Sequence, residues 1–178
     1  MELNAKAITM LALTPSQALP WHKTKARLKV AIVGTGIRAL RAWGIELAEP
    51  YAKYMEMVGL CDSNEKRAEV FKEVVGLSAP IYPAANFERM IKEQKPDIVL
   101  VTTTDNAHAH YIIKAMELGC DVISEKPIAI DEEQCQNIVD AEKKYGKKIY
   151  VGFNVRYMND SIEMKRVLDS GELGNIIS

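Results

Sequence analysis

Hydrophobic and polar positions follow two alternating patterns from Leu28 onward. Short apolar runs rich in β-branched residues are separated by stretches in which apolar residues recur every three or four positions. The runs predict strands and the stretches predict helices, which is typical of an α/β fold with a parallel sheet. The predicted strands are LKVAIV from Leu28, YMEMVGLCD from Tyr54, APIYP from Ala79, PDIVLVTTT from Pro96, GCDVISE from Gly119 and KKIYVGF from Lys147.

Helical spacing also predicts which residues of each helix face the sheet. We interpret the apolar stripes as core, because helical spacing explains them without any ligand. Two of these stripes are Ala109, Ile112, Ile113 and Met116 in one helix, and Val70, Phe71 and Val74 in another.

Capping residues predict where helices begin and end. Asp131 with Gln134 has the spacing of a capping box, and Gly146 is a C-terminal stop for the same helix. Asp160 opens a later helix that stops at Gly171, and residues 175–178 have the pattern of the first half of a strand. A strand without a partner in sequence predicts that residues 153–178 begin a second domain. Residues 1–26 are interpreted as an N-terminal arm, which leaves residues 27–152 as the α/β domain.

Composition narrows the classes of function. With 48% hydrophobic and 26% charged residues the chain has the make-up of an ordinary globular domain. A net charge of −1 and a pI near 6.3 argue against nucleic acid as a partner. The one short apolar run near the N-terminus, residues 7–13, is too short to span a membrane. Cys61, Cys120 and Cys135 share no metal-ligand spacing with the three histidines, which predicts no metal site and favours a reducing, cytoplasmic location.

A glycine-rich sequence, GTGIRA at residues 34–39, follows the first strand directly and opens a helix. This is the GxGxxG/A pattern of dinucleotide-binding turns, in the position that such a turn requires. Gly34 permits the tight turn, Gly36 lets the backbone approach a pyrophosphate, and Ala39 allows close packing of helix on strand. The N-terminus of the helix then faces the anion. The alternative is a glycine-rich turn that serves packing alone.

Asp62 ends the second predicted strand, 26 residues beyond Gly36. A carboxylate about 20 residues after the fingerprint accepts hydrogen bonds from the adenosine ribose of NAD and repels the 2′-phosphate of NADP. Asp62 therefore favours NAD, while the polar and basic residues from Ser63 to Arg67 leave NADP possible. The alternative role for Asp62 or Ser63 is that of N-cap for the next helix.

Two further polar segments leave predicted strands at the same edge of the sheet. TTTDNAH, residues 102–108, follows the fourth strand, and the tripeptide Glu125-Lys126-Pro127 follows the fifth. Open α/β sheets bind ligands at this edge. A lysine there can hydrogen-bond a substrate hydroxyl and stabilise a developing alkoxide, so Lys126 is the candidate catalytic residue. The alternative is an ordinary surface lysine.

Together these segments resemble the Gfo/Idh/MocA family of NAD(P)-dependent oxidoreductases. The resemblance covers about residues 28–178 and rests on GTGIRA, TDNAH, ELGCDVISEKPIA and VGFNVRYMND, with Glu125-Lys126-Pro127 as its most specific element. It implies a doubly wound Rossmann sheet with helices on both faces, and NAD or NADP as the cofactor. It also implies hydride transfer to or from a secondary alcohol or ketone of a sugar, polyol or related small molecule.

The resemblance implies roles for individual residues as well. Lys126 would contact the substrate hydroxyl and the cofactor ribose, His108 would open the helix near the site, and Arg156 would lie at the junction with the substrate domain. The family usually has proline at the position of Thr104, which leaves the shape of that loop open. The residues expected to bind the cofactor are Gly34, Thr35, Gly36, Ile37, Arg38, Asp62, Ser63, Thr103, Thr104, Asn106, His108, Glu125 and Lys126.

Members of this family carry a C-terminal domain that supplies most substrate contacts, commonly a histidine general base, and much of the oligomer interface. No histidine of this chain matches that base. We therefore expect the chain to bind cofactor but to turn over poorly alone, because hydride transfer needs a substrate held close to the cofactor. Apolar residues in 153–178 predict self-association into a homo-oligomer. Two other functions stay open: an NAD-dependent glycosidase of the same superfamily, and a non-catalytic dinucleotide-binding module.

Overall fold

Strands and helices alternate along residues 27–175, the part of the chain that the computed structural model describes. The strands are β1 (Leu28–Val33), β2 (Met55–Asp62), β3 (Ile81–Pro83), β4 (Ile98–Val101), β5 (Asp121–Ser124) and β6 (Ile149–Val151). They form one parallel sheet in the order β3-β2-β1-β4-β5-β6. This topology confirms the predicted doubly wound α/β fold. The predicted arm, residues 1–26, and the last three residues of the predicted terminal strand lie outside the described residues.

Helices cover both faces of this sheet. They are α1 (residues 37–48), α2 (Glu65–Val75), α3 (Phe87–Gln94), α4 (Asp105–Glu117), α5 (Glu132–Tyr145) and α6 (Asn159–Ser170). Helices α1 and α2 pack on one face, and α3, α4 and α5 pack on the other. Right-handed crossovers that run outward from β1 in two directions produce this two-faced arrangement. No helix within residues 27–175 is long and apolar enough to cross a membrane.

The central strands are buried on both faces, as their apolar sequences predict. In β1, Val30 and Ile32 join the core beneath α1 and α2, whereas Ala31 and Val33 join the core beneath the other helices. The residues of β4 alternate in the same way. A continuous apolar run is therefore the expected sequence of a strand that has helices on both sides.

Each of the six strands predicted between residues 28 and 153 is present, but most are shorter than predicted. The fourth was predicted over residues 96–104, and pairing is confined to Ile98–Val101. The threonines that follow leave the sheet, and Thr104 occupies the N-cap position of α4. The β-branched residues 102–104 favour a strand by composition, so the predicted strand ran on into what is a loop. Strand propensity does not show where the neighbouring strand stops offering hydrogen-bond partners.

Helix α1 contains an irregular segment that the sequence did not predict. Its first and last turns, Ile37–Ala39 and Ile45–Ala48, are α-helical, and Leu40–Gly44 between them is a π-helix. The Ile45 N–H donates to the Leu40 carbonyl, five residues back. Gly44 ends this segment, where an added Cβ would lie 2.7 Å from Cζ of Phe71. Glycine at this position therefore lets α1 approach α2 closely.

The prediction that Val70 and Val74 belong to the core is wrong. They are 56% and 57% exposed, whereas Phe71 is buried. The face of α2 that meets the sheet is a narrow line through Ala68, Phe71 and Val75. Val70 and Val74 each precede a residue of this line by one position, which turns them about 100° away from it.

The predicted helix ends are confirmed in part. Asp131 Oδ1 accepts a hydrogen bond from the Gln134 N–H at 2.8 Å, and Gly146 takes the left-handed conformation after α5. The Gln134 side chain accepts from the Ile130 N–H, one residue before the N–H that a capping box uses. The prediction that Asp160 opens α6 is wrong, because the helix begins at Asn159 and its N-cap is Met158, whose carbonyl accepts from Ile162.

These observations predict opposite outcomes for two neighbouring residues of α2. Phe71→Ala should lower the free energy of unfolding by about 3–5 kcal/mol, because it leaves a cavity in the core between α1 and α2. Val70→Ala should change it by no more than about 0.5–1 kcal/mol, because Val70 is mainly exposed. Urea unfolding of both variants measures the difference, and equal losses would contradict this packing.

Candidate functional site

The carboxyl ends of five strands lie within one residue of a common register. Val33 pairs with both Cys61 and Val101, Val101 pairs with Ser124, and Ser124 pairs with Val151. The residues that follow this row are Gly34, Asp62, Thr102, Glu125 and Gly152. Because the strands end together, the loops that carry most of the predicted site residues leave the sheet side by side. This is the edge at which open α/β sheets bind ligands.

Gly34 is required by the protein itself. Its φ is +88°, and an added Cβ would lie 2.7 Å from the Thr102 carbonyl and from the Thr103 amide nitrogen. The Thr102 hydroxyl donates to the Gly34 carbonyl at 2.6 Å, which fixes the turn against the loop after β4. Glycine is therefore needed at the first position of the fingerprint for two reasons: the backbone has a positive φ, and the loop after β4 leaves no space for a side chain.

Gly36, unlike Gly34, is not required by the backbone conformation or by packing within the fold. It is the N-cap of α1 with φ of −71°, a conformation open to any residue, and nothing lies within 4 Å of an added Cβ. Ile37, the next residue, is 65% exposed. The protein leaves open space beside the helix N-terminus, where the backbone N–H groups and the macrodipole favour an anion. This space fits the pyrophosphate of a dinucleotide.

Asp62 ties the glycine-rich turn to the end of β2. Its Oδ2 accepts from the N–H of Thr35 at 2.7 Å and from the Thr35 hydroxyl at 2.8 Å, and its Oδ1 accepts from the Asn64 N–H at 2.8 Å. The alternative in which Asp62 or Ser63 is the helix cap is wrong. Asn64 is the N-cap of α2, and its side chain accepts from the Arg67 N–H.

The charge of Asp62 is maintained inside the fold. Burial alone would raise the pKa of this carboxyl group, but the hydrogen bonds from Asn64 and Thr35 and the nearby Arg67 guanidinium outweigh burial and lower it. A carboxylate has about four acceptor positions, so the three strong hydrogen bonds leave room for about one from a ribose hydroxyl. Exposed Ser63 lies beside it, and Arg67 Nη1 is 3.8 Å from Oδ1. The arrangement fits NAD.

The loop after β4 takes the shape that proline would impose. Thr104 has φ of −75° and ψ of 150°, within the range of proline, so the loop geometry does not depend on the family's usual residue. Its hydroxyl donates to Asn106 Oδ1 at 2.7 Å. Thr104 and Asn106 are exposed and Thr103 is half-buried, which leaves this loop accessible to a ligand.

His108 contacts both the loop after β4 and the loop after β5. It is buried one turn into α4, which opens at Asp105 rather than at His108. Its Nδ1 lies 2.6 Å from the Pro127 carbonyl, and its Nε2 lies 3.1 Å from the Thr103 carbonyl. Either tautomer of a neutral ring donates to one of these oxygens, and a protonated ring donates to both. His108 thus holds the loop after β4 against the loop after β5.

Lys126 and Arg156 are both exposed. None of the hydrogen bonds or ion pairs found within residues 27–175 uses the Lys126 ammonium group, and the Lys126–Pro127 peptide bond is cis. Arg156 lies in a 3₁₀ turn, Asn154–Tyr157, that follows β6. Both cations are therefore available to a ligand or to another part of the protein.

Glu125 connects the lysine loop to the fingerprint helix. Its Oε1 accepts from the Trp43 indole N–H at 2.8 Å and pairs with Arg38 Nε at 2.7 Å. The carboxylate is buried, while the Arg38 side chain is 41% exposed. Sequence reasoning placed Glu125 and Arg38 at the cofactor and missed Trp43, which belongs to no motif. Its one signal was an aromatic residue in the helix that follows the fingerprint.

A cleft of about 260 Å³ lies beside this cluster, between α1 and the strands β1, β4 and β5. Apolar side chains form most of its wall, and Arg38, Asn154 and Tyr157 stand on its border. It extends along α1 away from the glycine-rich turn, as far as Tyr51 and Met55. The cleft is thus separate from the exposed ends of the loops after β4 and β5.

Comparisons with known proteins agree with this geometry. The model of the Gfo/Idh/MocA oxidoreductase family, described by its NAD-binding Rossmann fold, matches residues 28–153. An inositol 2-dehydrogenase from Klebsiella pneumoniae is 32% identical over 148 residues, which are 83% of this chain and 43% of that protein. The chain spans about two fifths of the length of the curated relatives that it matches.

Solved structures show the same relationship. Myo-inositol dehydrogenase from Lactobacillus casei, in complex with NAD(H) and myo-inositol, has a TM-score of 0.71 and 29% identity, and the match covers 84% of this chain and 43% of that chain. Myo-inositol 2-dehydrogenase from Lactobacillus plantarum has a TM-score of 0.73 at 24% identity, covering 85% and 44%, a likeness of fold alone.

Two alanine substitutions separate the roles of the glycines. Gly34→Ala should lower the free energy of unfolding by at least about 2 kcal/mol, because it strains the backbone and drives a Cβ into Thr102. Gly36→Ala should cost no more than about 1 kcal/mol, yet weaken NADH binding at least about tenfold by filling the open space. Urea unfolding and NADH fluorescence titration measure both effects. Intact NADH binding in folded Gly36→Ala would contradict the pyrophosphate assignment.

The lowered pKa of Asp62 gives a prediction about pH. Its charge stabilises the fold above the unfolded pKa, near 3.9, and this contribution is lost as pH falls through the still lower folded pKa. Asp62→Asn should therefore lower the free energy of unfolding by about 1.5–3 kcal/mol at pH 7 and by less below about pH 4. Asp169→Asn, in an exposed ion pair with Lys165, is the control and should cost no more than about 1 kcal/mol. A loss for Asp62→Asn that is constant with pH would argue against a charge effect.

Proposed function

Because the chain belongs to the Gfo/Idh/MocA family of oxidoreductases with an NAD-binding Rossmann fold, we propose that it is the cofactor-binding half of an NAD(P)-dependent dehydrogenase. The proposed substrate is a secondary alcohol or ketone of a sugar, polyol or related compound. The names of the inositol dehydrogenases among its relatives support this class of substrate. The reaction is the transfer of a hydride between that carbon and the nicotinamide.

The whole protein's activity is part of this proposal, since the relatives are more than twice as long as the matched segment. We propose that residues 153–178 begin the domain that binds the substrate. Helix α6 supports this boundary, because it buries none of its residues and leaves Ile162, Met164 and Leu168 exposed. A helix with such a surface needs a further partner, either the rest of a second domain or another copy of the chain.

The residues at the carboxyl edge divide the binding of the cofactor among them. Gly36 and the N-terminus of α1 would hold the pyrophosphate, with Ile37 and Arg38 at its border. Asp62 and Ser63 would hold the adenosine ribose, and a buried negative charge there disfavours a 2′-phosphate. The loop from Thr103 to Asn106 would lie beside the nicotinamide half. Once bound, the cofactor supplies the carbon that accepts or donates the hydride.

Lys126 is the proposed catalytic residue of this half. Its ammonium group would donate a hydrogen bond to the substrate oxygen and stabilise the alkoxide that forms when a base outside residues 27–152 takes the hydroxyl proton. The hydride then leaves the substrate carbon for the nicotinamide as the C=O bond forms. In the reverse direction Lys126 polarises the carbonyl group. Arg156, on the turn after β6, is proposed to contact the substrate side of the site.

The observation that carries the proposal is the position of Lys126. It is an exposed cation just after β5, and none of the hydrogen bonds or ion pairs within residues 27–175 uses its ammonium group. Its loop is joined by Glu125 to the fingerprint helix and by Pro127 to α4. A lysine that served solubility alone would need no such attachment on both sides. These buried contacts hold Lys126 at the edge of the sheet that also carries the glycine-rich turn, which supports a role beside the cofactor.

Titration with NADH tests the proposal directly. The chain should bind NADH at micromolar to low-millimolar concentration, seen as a change in nicotinamide fluorescence, and should bind NADPH about tenfold more weakly because of the charge on Asp62. Gly36→Ala provides the matched control for non-specific fluorescence changes. A folded chain that binds neither dinucleotide at millimolar concentration would refute the proposed function.

A further inference from the structure

Glu125 is a buried charge with an unusual pair of partners. The Glu125 side chain is 6% exposed, and one oxygen, Oε1, receives both the Trp43 indole N–H and the Arg38 guanidinium. A buried carboxylate destabilises the fold unless it is paired and hydrogen-bonded. Removal of either partner would leave the Glu125 charge without one of its two compensating contacts. The Glu125 backbone is fixed as well, because its N–H donates to the Val101 carbonyl at 3.0 Å.

The π-helical segment of α1 explains how both partners reach one atom. Arg38 and Trp43 are five residues apart, which in a regular α-helix separates their directions by about 140°. The wider turn at Leu40–Gly44, with its five-residue hydrogen bond, brings these positions towards one side of the helix. Gly152 adds a third element, since an added Cβ there would lie 3.3 Å from Trp43 and 3.6 Å from Glu125 Oε1.

The residues before and after Lys126 are therefore anchored to helices on opposite faces of the sheet. Before the lysine, Glu125 is bound to α1 on the first face. After it, the Pro127 carbonyl is bound to His108 of α4 on the second face. Lys126 itself has an exposed, flexible side chain, so the placement of its Cα decides where the ammonium group can reach.

We propose that Glu125 is a positioning residue for Lys126. It holds the lysine at a fixed place relative to the helix that carries the pyrophosphate site, and it acts on the cofactor through the lysine and not by a contact of its own. This assignment replaces the expectation from the family resemblance that Glu125 is a direct cofactor contact. It rests on the proposed function and on the contact between Lys126 and the cofactor ribose that the family resemblance implies.

Comparison of two ligands tests the inference. NADH contains the nicotinamide ribose that Lys126 is proposed to touch, whereas ADP contains the adenosine and both phosphates without it. Isothermal titration calorimetry of the 178-residue chain gives the Kd of each ligand. Lys126→Ala should raise the Kd of NADH about tenfold and leave that of ADP within about twofold. Glu125→Gln should raise the Kd of NADH about fivefold, again with little change for ADP.

The double variant distinguishes positioning from direct contact. If Glu125 acts through Lys126, Glu125→Gln in the Lys126→Ala background should change the Kd of NADH less than about twofold. Trp43→Phe, which removes the indole N–H donor and keeps an aromatic side chain, should also raise the Kd of NADH relative to that of ADP. This second variant tests the inference even if Glu125→Gln folds poorly. Glu69 is an exposed carboxylate on α2. Glu69→Gln is the control for loss of charge and should change the Kd of neither ligand.

Three results would overturn the inference, each for a different reason. Additive effects of Glu125→Gln and Lys126→Ala would show that Glu125 contacts the cofactor itself. Parallel weakening of NADH and ADP, with a lowered melting temperature, would show a general structural role. If Lys126→Ala leaves both Kd values unchanged, the proposed cofactor contact of the lysine fails, and the positioning role fails with it.

Discussion

The common register of the parallel strands is the constraint on which the site depends. Backbone hydrogen bonds run one residue past the strands, from Gly34 to Cys61, from Thr102 to Val33 and from Glu125 to Val101. These bonds fix where each loop starts, and no loop can move along the sheet without breaking its neighbour's pairing. The turn, the acidic residue and the lysine are distant in sequence, and the ladder brings them together before any side-chain contact forms.

Side-chain hydrogen bonds then hold these loops to one another at the carboxyl edge of the sheet. Asp62 accepts three short hydrogen bonds from the turn and from the start of α2, and His108 spans the loops after β4 and β5. The Asp62 and His108 side chains are themselves buried, where a lost hydrogen bond leaves an unsatisfied polar group. Exposed residues such as Ile37, Thr104 and Lys126 are left at the rim, free to meet a ligand. Burial thus separates the residues that hold the site from those that can act in it.

Much of this arrangement was predictable from the sequence. The parallel α/β sheet follows from the alternation of apolar runs and helical stripes, and the edge that carries the site follows from the direction of parallel strands. Gly34 and the NAD-binding turn were predictable because their requirements are local: a positive φ, a helix N-terminus and a preceding strand. The element ends were less so, since the β-branched run at residues 102–104 looks like strand until the partner strand is known.

Contacts between distant elements were not predictable. The meeting of Trp43 with Glu125 depends on the relative placement of α1 and β5, and neither residue's neighbours in sequence encode it. The exposure of Val70 and Val74 depends on how narrow a line α2 presents to the sheet. The dual role of Asp62 was hidden for the same reason: sequence spacing identified a carboxylate at the end of β2 but not the number of donors already bound to it.

The π-helical segment gives α1 one residue more than a regular helix would need to bring the same two side chains together. In a regular α-helix, positions four residues apart differ in direction by only about 40°, so a helix with one residue fewer between Arg38 and Trp43 would place both on one side without a π-helical turn. The segment is therefore equivalent to a single-residue insertion that the helix absorbs by widening one turn. A related helix that is regular and one residue shorter would keep both contacts to Glu125, and the two sequences would align with a gap inside this segment.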